Sequence, residues 1–259
     1  MFIGGLKVKR THMFAVLGIL ALMILGSVMV AADVDARRWR RDDDEKEEES
    51  WGNWRWKWTD ARIRAVHLSP DAPAVDIWVD GNKVVSSLKF SEVTDYIRVP
   101  FSRGRDTYNI QVVPAGQTSP VVINANLRAR PLRDYTIVAA DTLDNIQPIV
   151  IEDFRYSRSW FRSSVRFVHT SPDAPAVDVA VKDGPVLFSN VQFTDVEDYL
   201  RVRKGSYDLE VRLAGTDTVV LSVDDVMLQR GRMYTVFATG LVSPGEDEPS
   251  LGALLVLDR

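Results

Sequence analysis

The octapeptide Ser-Pro-Asp-Ala-Pro-Ala-Val-Asp occurs twice, at 69–76 and at 171–178, and each copy stands two residues after a histidine, His67 or His169. A duplication this close sets the register of two long repeats, so any fold adopted by one stretch must serve the other as well. Ile63, Ala65 and His67 share a period-two face before the first copy, and Val165, Phe167 and His169 share one before the second. That period belongs to a strand whose alternate side chains meet a core.

The rest of each repeat follows the same order. Val75, Ile77 and Val79 alternate with Asp76, Trp78 and Asp80 up to an Asp80-Gly81 turn, and 177–181 runs to Asp183-Gly184. Asp-Gly between β-prone runs signals a hairpin, because glycine accepts the positive φ of the turn. Next, Phe90-Ser-Glu-Val-Thr-Asp-Tyr96 matches Phe193-Thr-Asp-Val-Glu-Asp-Tyr199, and each leads into a short apolar run, 97–99 or 200–202. Tyr108, Ile110 and Val112 then alternate up to Pro114-Ala-Gly116, as Tyr207, Leu209, Val211 and Leu213 do up to Ala214-Gly215. Further strands are predicted at 121–125, 135–140 and 146–151, with counterparts at 219–223, 234–239 and 251–257.

No sustained 3.6-residue period appears after Ala32, so helices should be scarce. The fold class expected is all-β: two tandem immunoglobulin-like antiparallel β-sandwich domains after an N-terminal signal or anchor helix. The boundaries are 1–32 for the signal or anchor, 33–53 for a charged tether, 54–153 for repeat one, 154–161 for a linker and 162–259 for repeat two. So short a linker keeps the sandwiches in contact.

Taken together, the His-x-Ser-Pro-Asp-Ala-Pro-Ala-Val-Asp stretch, the Asp-Gly turn, Phe-x-acidic-Val-x-Asp-Tyr and the tyrosine-led strand before Ala-Gly resemble the domain of unknown function family 4397, in two copies. The resemblance implies a β-sandwich in exported or cell-surface proteins. It implies no activity and no catalytic residue.

An address is written at the N-terminus. Lys7, Lys9 and Arg10 precede an apolar run over 13–32 that only Ser27 interrupts, and the small residues Ala31 and Ala32 close it. This is an export signal. At ~1.5 Å per residue it also spans a bilayer, so a cleaved signal and a retained anchor are both consistent with it. Asp42, Asp43, Asp44, Glu45, Glu47, Glu48 and Glu49 then form a self-repelling block, read as a solvated tether.

Net charge and residue types narrow the function classes. Among 259 residues the net charge is -4, with no clustered basic stretch of the kind nucleic acid demands. There is no cysteine, which removes disulfides, thiolate metal sites and cysteine nucleophiles. Motifs for a nucleophile elbow, a zinc protease or a phosphate loop are absent, and no cofactor is expected.

His67 and His169 are the histidines open to chemistry, since His12 belongs to the export segment. A relay through His67, Ser69 and Asp71 would need three groups from one extended stretch to converge, which strand geometry opposes. The preferred reading is structural: a buried imidazole braces the loop, Asp71 and Asp173 each close a turn by accepting backbone N–H groups, and Asp76 and Asp178 belong to the same structural motif loops. Calcium is the alternative, with Asp71, Asp76, Asp80, Asp173, Asp178 and Asp183 as oxygen donors. Glu92 with Asp95 and Asp195 with Asp198 read as solvated turns, not acid–base pairs.

Trp54, Trp56 and Trp58 alternate with Arg55 and Lys57 and share one face of an extended segment. Trp58 precedes His67 at the same spacing as Trp160 precedes His169, which favours a core or edge role. With Trp78 the same indoles offer a platform for a sugar. The sequence therefore points to an exported, envelope-associated, non-catalytic protein with a structural, adhesive or binding role. A carbohydrate- or peptidoglycan-binding module is the alternative. The partner is an envelope component or surface glycan, not nucleic acid, and the membrane is met only through the N-terminal segment. An enzyme would need a pocket holding His67 or His169 beside perturbed carboxylates.

Overall fold

The computed structural model describes residues 60–99, 106–155 and 160–258. Repeat one supplies β1 (Ala61–His67), β2 (Val75–Val79), β3 (Asn82–Leu88), β4 (Ile97–Val99), β5 (Thr107–Pro114), β6 (Ile123–Arg128), β7 (Asp134–Ala140) and β8 (Gln147–Asp153). Repeat two supplies β9 (Ser163–His169), β10 (Val177–Val181), β11 (Val186–Val191), β12 (Leu200–Val202), β13 (Gly205–Leu213), β14 (Val219–Leu228), β15 (Met233–Thr239) and β16 (Gly252–Leu257). Among the described residues the one helical segment is a single 3-10 turn at Leu143–Asn145. The segments expected to form an export helix, the tether and the first tryptophans lie outside the described residues.

Each repeat folds into two four-stranded sheets. Repeat one has β4-β1-β7-β8 and β3-β2-β5-β6, and repeat two has β12-β9-β15-β16 and β11-β10-β13-β14. Period two explains the packing: in β5, Tyr108, Ile110 and Val112 are buried while Asn109 and Gln111 lie on the other face. The inward residues of the two sheets close one core per repeat. Ile63, Ile77, Val112 and Ile137 belong to the first, and Phe167, Val179, Leu209 and Val236 to the second.

The expectation of purely antiparallel sheets is corrected at one pair in each repeat. β1 runs parallel to β7, with Ile63 opposite Tyr135 and His67 opposite Ala139. β9 runs parallel to β15 in the same way. A parallel pair requires a long crossover, and β2 to β6 provide one while lying mostly in the facing sheet. The parallel strands occupy the centre of their sheet and are covered on both faces. Indeed β7, β9 and β15 are buried at every position.

The second cover comes from the other repeat. Val66, Leu68, Val138, Ile149 and Ile151 of repeat one pack with Val168, Phe237 and Val256 of repeat two in a third apolar cluster. Sheets β4-β1-β7-β8 and β12-β9-β15-β16 thus meet through the faces turned away from their own sandwiches.

Candidate functional site

The repeated octapeptide forms the corner by which each first strand leaves its sheet for the facing one. His67 lies at the end of β1 with no solvent exposure. Its Nε2 is 3.0 Å from the Pro73 carbonyl oxygen, and its Nδ1 accepts the Ser69 backbone N–H at 3.3 Å. A proline carbonyl can only accept, so the ring proton sits on Nε2 and the imidazole is neutral. His169 repeats the arrangement with Pro175 at 3.2 Å and Ser171 at 3.4 Å. Burial holds both imidazoles below their ordinary pKa, against the pull of the proline carbonyls and of Glu92 or Asp195. Each ring ties the start of the corner to its end.

The motif aspartates fasten the neighbouring turns. Asp71 accepts the Leu143 N–H at 2.7 Å, and Asp173 accepts those of Val242 and Ser243 at 2.9 and 2.8 Å. Buried Asp76 receives Lys83 Nζ at 2.6 Å and the N–H groups of Ser87 and Gly116 at 2.8 and 3.0 Å. The Lys83 hydrogen bond, and then that of Ser87, hold its carboxyl below the usual carboxylate range. Asp178 takes the Asn190 and Gly215 N–H groups at 2.7 and 2.9 Å.

These bonds decide between the chemical readings of the motif. His67 receives the backbone of Ser69, not its hydroxyl; Ser69 Oγ is buried without a hydrogen-bond partner, and Asp71 is turned toward Leu143. No relay forms. The calcium set is not assembled either: Asp76 and Asp80 share a strand face but stand four residues, ~13 Å, apart along it, and the carboxylates are engaged locally, Asp80, for example, accepting the Asn109 N–H at 3.0 Å. Asp183 sits in a left-handed conformation in the turn after β10. No group of three or more His, Asp or Glu that could hold a metal occurs among the described residues. Glu92 and Asp195 accept the backbone N–H of Lys89 and Gln192 in their own turns. An open groove of about 380 Å³ at one end of repeat one is lined by Ile63, Val79, Asn82 and Tyr108, among others, and contains neither motif histidine.

Trp54, Trp56 and Trp58 fall outside the described residues. Trp160, at the register of Trp58 in repeat two, is 86% exposed, so that position is no core site there. Trp78 is half-buried on the outer face of β2, with Lys83 Nζ 5.3 Å from its ring centroid and Nε1 buried without a hydrogen-bond partner. Strand register places Lys83, Trp78, Gln111 and Asn124 in one row across β3, β2, β5 and β6. Beside it, the Asn109 amide donates to Asn124 and Asn126 at 2.8 and 3.2 Å. The matching row of repeat two has Ala180, Glu210 and Ser222.

A second constellation escaped the sequence reading. Arg64 of β1 donates to Asp258 across the repeat boundary, and Arg166 of β9 donates to Asp153 in return. Each guanidinium also reaches a threonine of its own repeat, Thr136 at 2.7 Å or Thr235 at 2.8 Å. Tyr96 and Tyr199 complete the site by donating to Asp153 and Asp258 at 2.7 and 2.8 Å, and their rings lie under Arg64 and Arg166 at 4.8 and 4.6 Å. Equivalent residues exchange partners, as they would about a two-fold axis. Burial works against the charge on Arg64, but Asp258 and Asp153 outweigh it and hold the guanidinium above its ordinary pKa. Burial, and then the adjacent aspartates, push both tyrosines up, so they remain neutral donors. The signal was present: Arg64 and Arg166 each stand three residues before a motif histidine, and Asp153 ends the last strand of repeat one while Asp258 directly follows that of repeat two.

Compared with known families, residues 61–180 and again 163–259 match one model, described as Domain of unknown function (DUF4397). No curated protein matches the chain.

Proposed function

Since the chain belongs to the DUF4397 family, in two tandem copies, we propose that it is an exported, envelope-associated, non-catalytic protein whose joined sandwiches serve a structural, adhesive or binding role. The observation that carries this reading is the sealing of both motif histidines. Each lies at zero exposure with both ring nitrogens engaged by backbone, so the side chains best suited to proton transfer near neutral pH are spent on bracing. Export rests on the run over 13–32, as cleaved signal or retained anchor, with 33–53 as tether. The immunoglobulin-like description belongs to the same proposal; two packed four-stranded sheets support it, and the parallel β1–β7 pair sets it apart from an antiparallel immunoglobulin sheet.

The test is fractionation of the full chain in a secretion-competent bacterial host, with external protease added to intact cells. Cleavage of the repeats without lysis supports the proposal, and the N-terminal mass separates a start near Asp33 from retention of Met1. Complete protection of a cytoplasmic pool refutes it.

The row of Trp78, Gln111 and Asn124 favours a second reading, a glycan-binding outer face on repeat one. An indole can stack on a pyranose while amides meet its hydroxyls. Binding to a glycan array or to peptidoglycan that is lost in Trp78→Ala and in Gln111→Ala supports it; unchanged binding in both refutes it.

A further inference from the structure

The start of β9, the turn between β12 and β13 and the turn between β14 and β15 lie at one end of repeat two. Ser163 is opposite Val202, Gly205 is opposite Leu228, and the Gly231 N–H donates to the Arg162 carbonyl at 3.0 Å. This register gathers Trp160, Phe161, Arg203, Lys204, Arg230 and Arg232 on one rim. Trp160 is 86% and Phe161 79% exposed, the two most exposed large apolar side chains among the described residues, and the Arg230 guanidinium lies 5.8 Å from the Phe161 ring centroid. All four cations are exposed, and among the described residues none of them forms an ion pair.

The carboxylates nearest in the fold are committed elsewhere or set back. Asp258 holds Arg64, Tyr199 and Thr235, whereas the Asp208 carboxylate accepts the Asp225 backbone N–H at 2.9 Å and the Asp225 carboxylate faces the Ser206 hydroxyl at 3.5 Å. Comparison with repeat one sharpens the contrast. There Arg133, at the position of Arg232, pairs with Glu152 at 3.1 Å. The residue matching Glu152 is Leu257, opposite Tyr234 as Glu152 is opposite Tyr135, and it is 52% exposed. Repeat two has therefore exchanged a neutralising carboxylate for an apolar side chain.

We propose that this rim docks on an anionic lipid bilayer surface, a membrane contact separate from the N-terminal run. Cations on the rim meet the phosphate headgroups, and two exposed aromatic rings need an apolar phase to enter, which an acidic polysaccharide does not offer. For its cellular setting the inference rests on the export reading; the interaction itself does not.

Because the chain has no cysteine, Gln229→Cys in the full chain provides a single attachment point on the rim for an environment-sensitive dye. The labelled chain is reconstituted in phosphatidylcholine vesicles with or without phosphatidylglycerol. A blue shift confined to the anionic vesicles and reversed by salt is expected. Each cation near such a surface is worth about fivefold in binding, so Arg230→Glu with Arg232→Glu should weaken binding to the anionic vesicles about 25-fold or more. Arg203→Glu with Lys204→Glu, on a separate turn, should do the same, and Trp160→Ala with Phe161→Ala should weaken the shift at every salt concentration. Equal emission in both vesicles, or a shift that survives both charge reversals, overturns the proposal. A shift produced by dextran sulfate and not by anionic vesicles overturns it too, and assigns the rim to acidic polymers. These outcomes do not depend on where the cell places the chain.

Discussion

Asp258→Asn isolates what the crossed ion pairs contribute. The carboxylate receives Arg64, Tyr199 Oη at 2.8 Å and Thr235 Oγ1 at 2.7 Å, all donors, in a site where its own side chain has no exposure. Asparagine keeps the shape but loses the charge and points an amide at one of the three donors. Arg64, 3% exposed, is then left with Asp153 at 4.0 Å, which Arg166 already engages. Removing one member of a buried pair costs ~3–5 kcal/mol. For a folded unit of this size each kcal/mol lowers the melting temperature by about 2–4 °C, so Tm should fall by roughly 6–20 °C. Arg64→Met combined with Asp258→Leu should recover part of that loss, because it removes the uncompensated buried charge while Tyr199 and Thr235 still lose their acceptor. Thermal melts and urea titrations followed by circular dichroism measure both. Asp106→Asn, which breaks an exposed pair with Arg128, is the control and should leave the melt unchanged. A single variant that melts with the wild type, or a double variant as unstable as the single, refutes the reasoning.

Acid sensitivity should appear in two separate windows. His67 and His169 have folded pKa values below 6.5, so below that pH the unfolded chain binds protons that the native chain refuses. Stability is level above pH 6.5 and falls below it by up to about 1.4 kcal/mol per pH unit per histidine, until the folded pKa values are passed. Asp76, with its pKa depressed below 3.8, adds a loss only at lower pH. Urea midpoints from pH 7.5 to 4.5 check this, and a flat profile that His67→Gln does not alter contradicts it. Gly240 has φ +81°, and a Cβ there would stand 2.3 Å from the Ser250 carbonyl oxygen, whereas Gly116 at φ +76° has open space. Gly240→Ala should cost more than ~2 kcal/mol and Gly116→Ala about 1 kcal/mol; equal costs in urea titrations would count against the tight approach at Gly240.

The strands announced themselves where a β-prone run is bounded by a turn or a signature, including 135–140 and 234–239, which are buried on both faces. Runs 75–79, 97–99, 177–181 and 200–202 coincide with β2, β4, β10 and β12 because inward β-branched or aliphatic residues alternate with polar ones and a marked turn or signature adjoins. β3 and β11 gave no such signal: Asn-Lys-Val-Val-Ser-Ser-Leu does not alternate, and β3 lies at the sheet edge with most positions open. In β1, the face bearing Ile63, Ala65 and His67 was legible, but the sequence assigned no partner to the opposite face bearing Arg64 and Val66. It is covered only because a second copy exists to cover it, and periodicity within one strand carries no information about such a partner. Likewise the histidine brace followed from the spacing of ring and loop, while the arginine, tyrosine and aspartate of the boundary are dispersed through each repeat and meet only when both copies are folded.

Differential scanning calorimetry of the full chain, in mild detergent, tests most directly whether the repeats form one cooperative block. The crossed Arg64–Asp258 and Arg166–Asp153 pairs and the apolar cluster around Phe237 predict one transition with equal calorimetric and van't Hoff enthalpies. Two resolved transitions, or a calorimetric enthalpy about twice the van't Hoff value, would contradict the account.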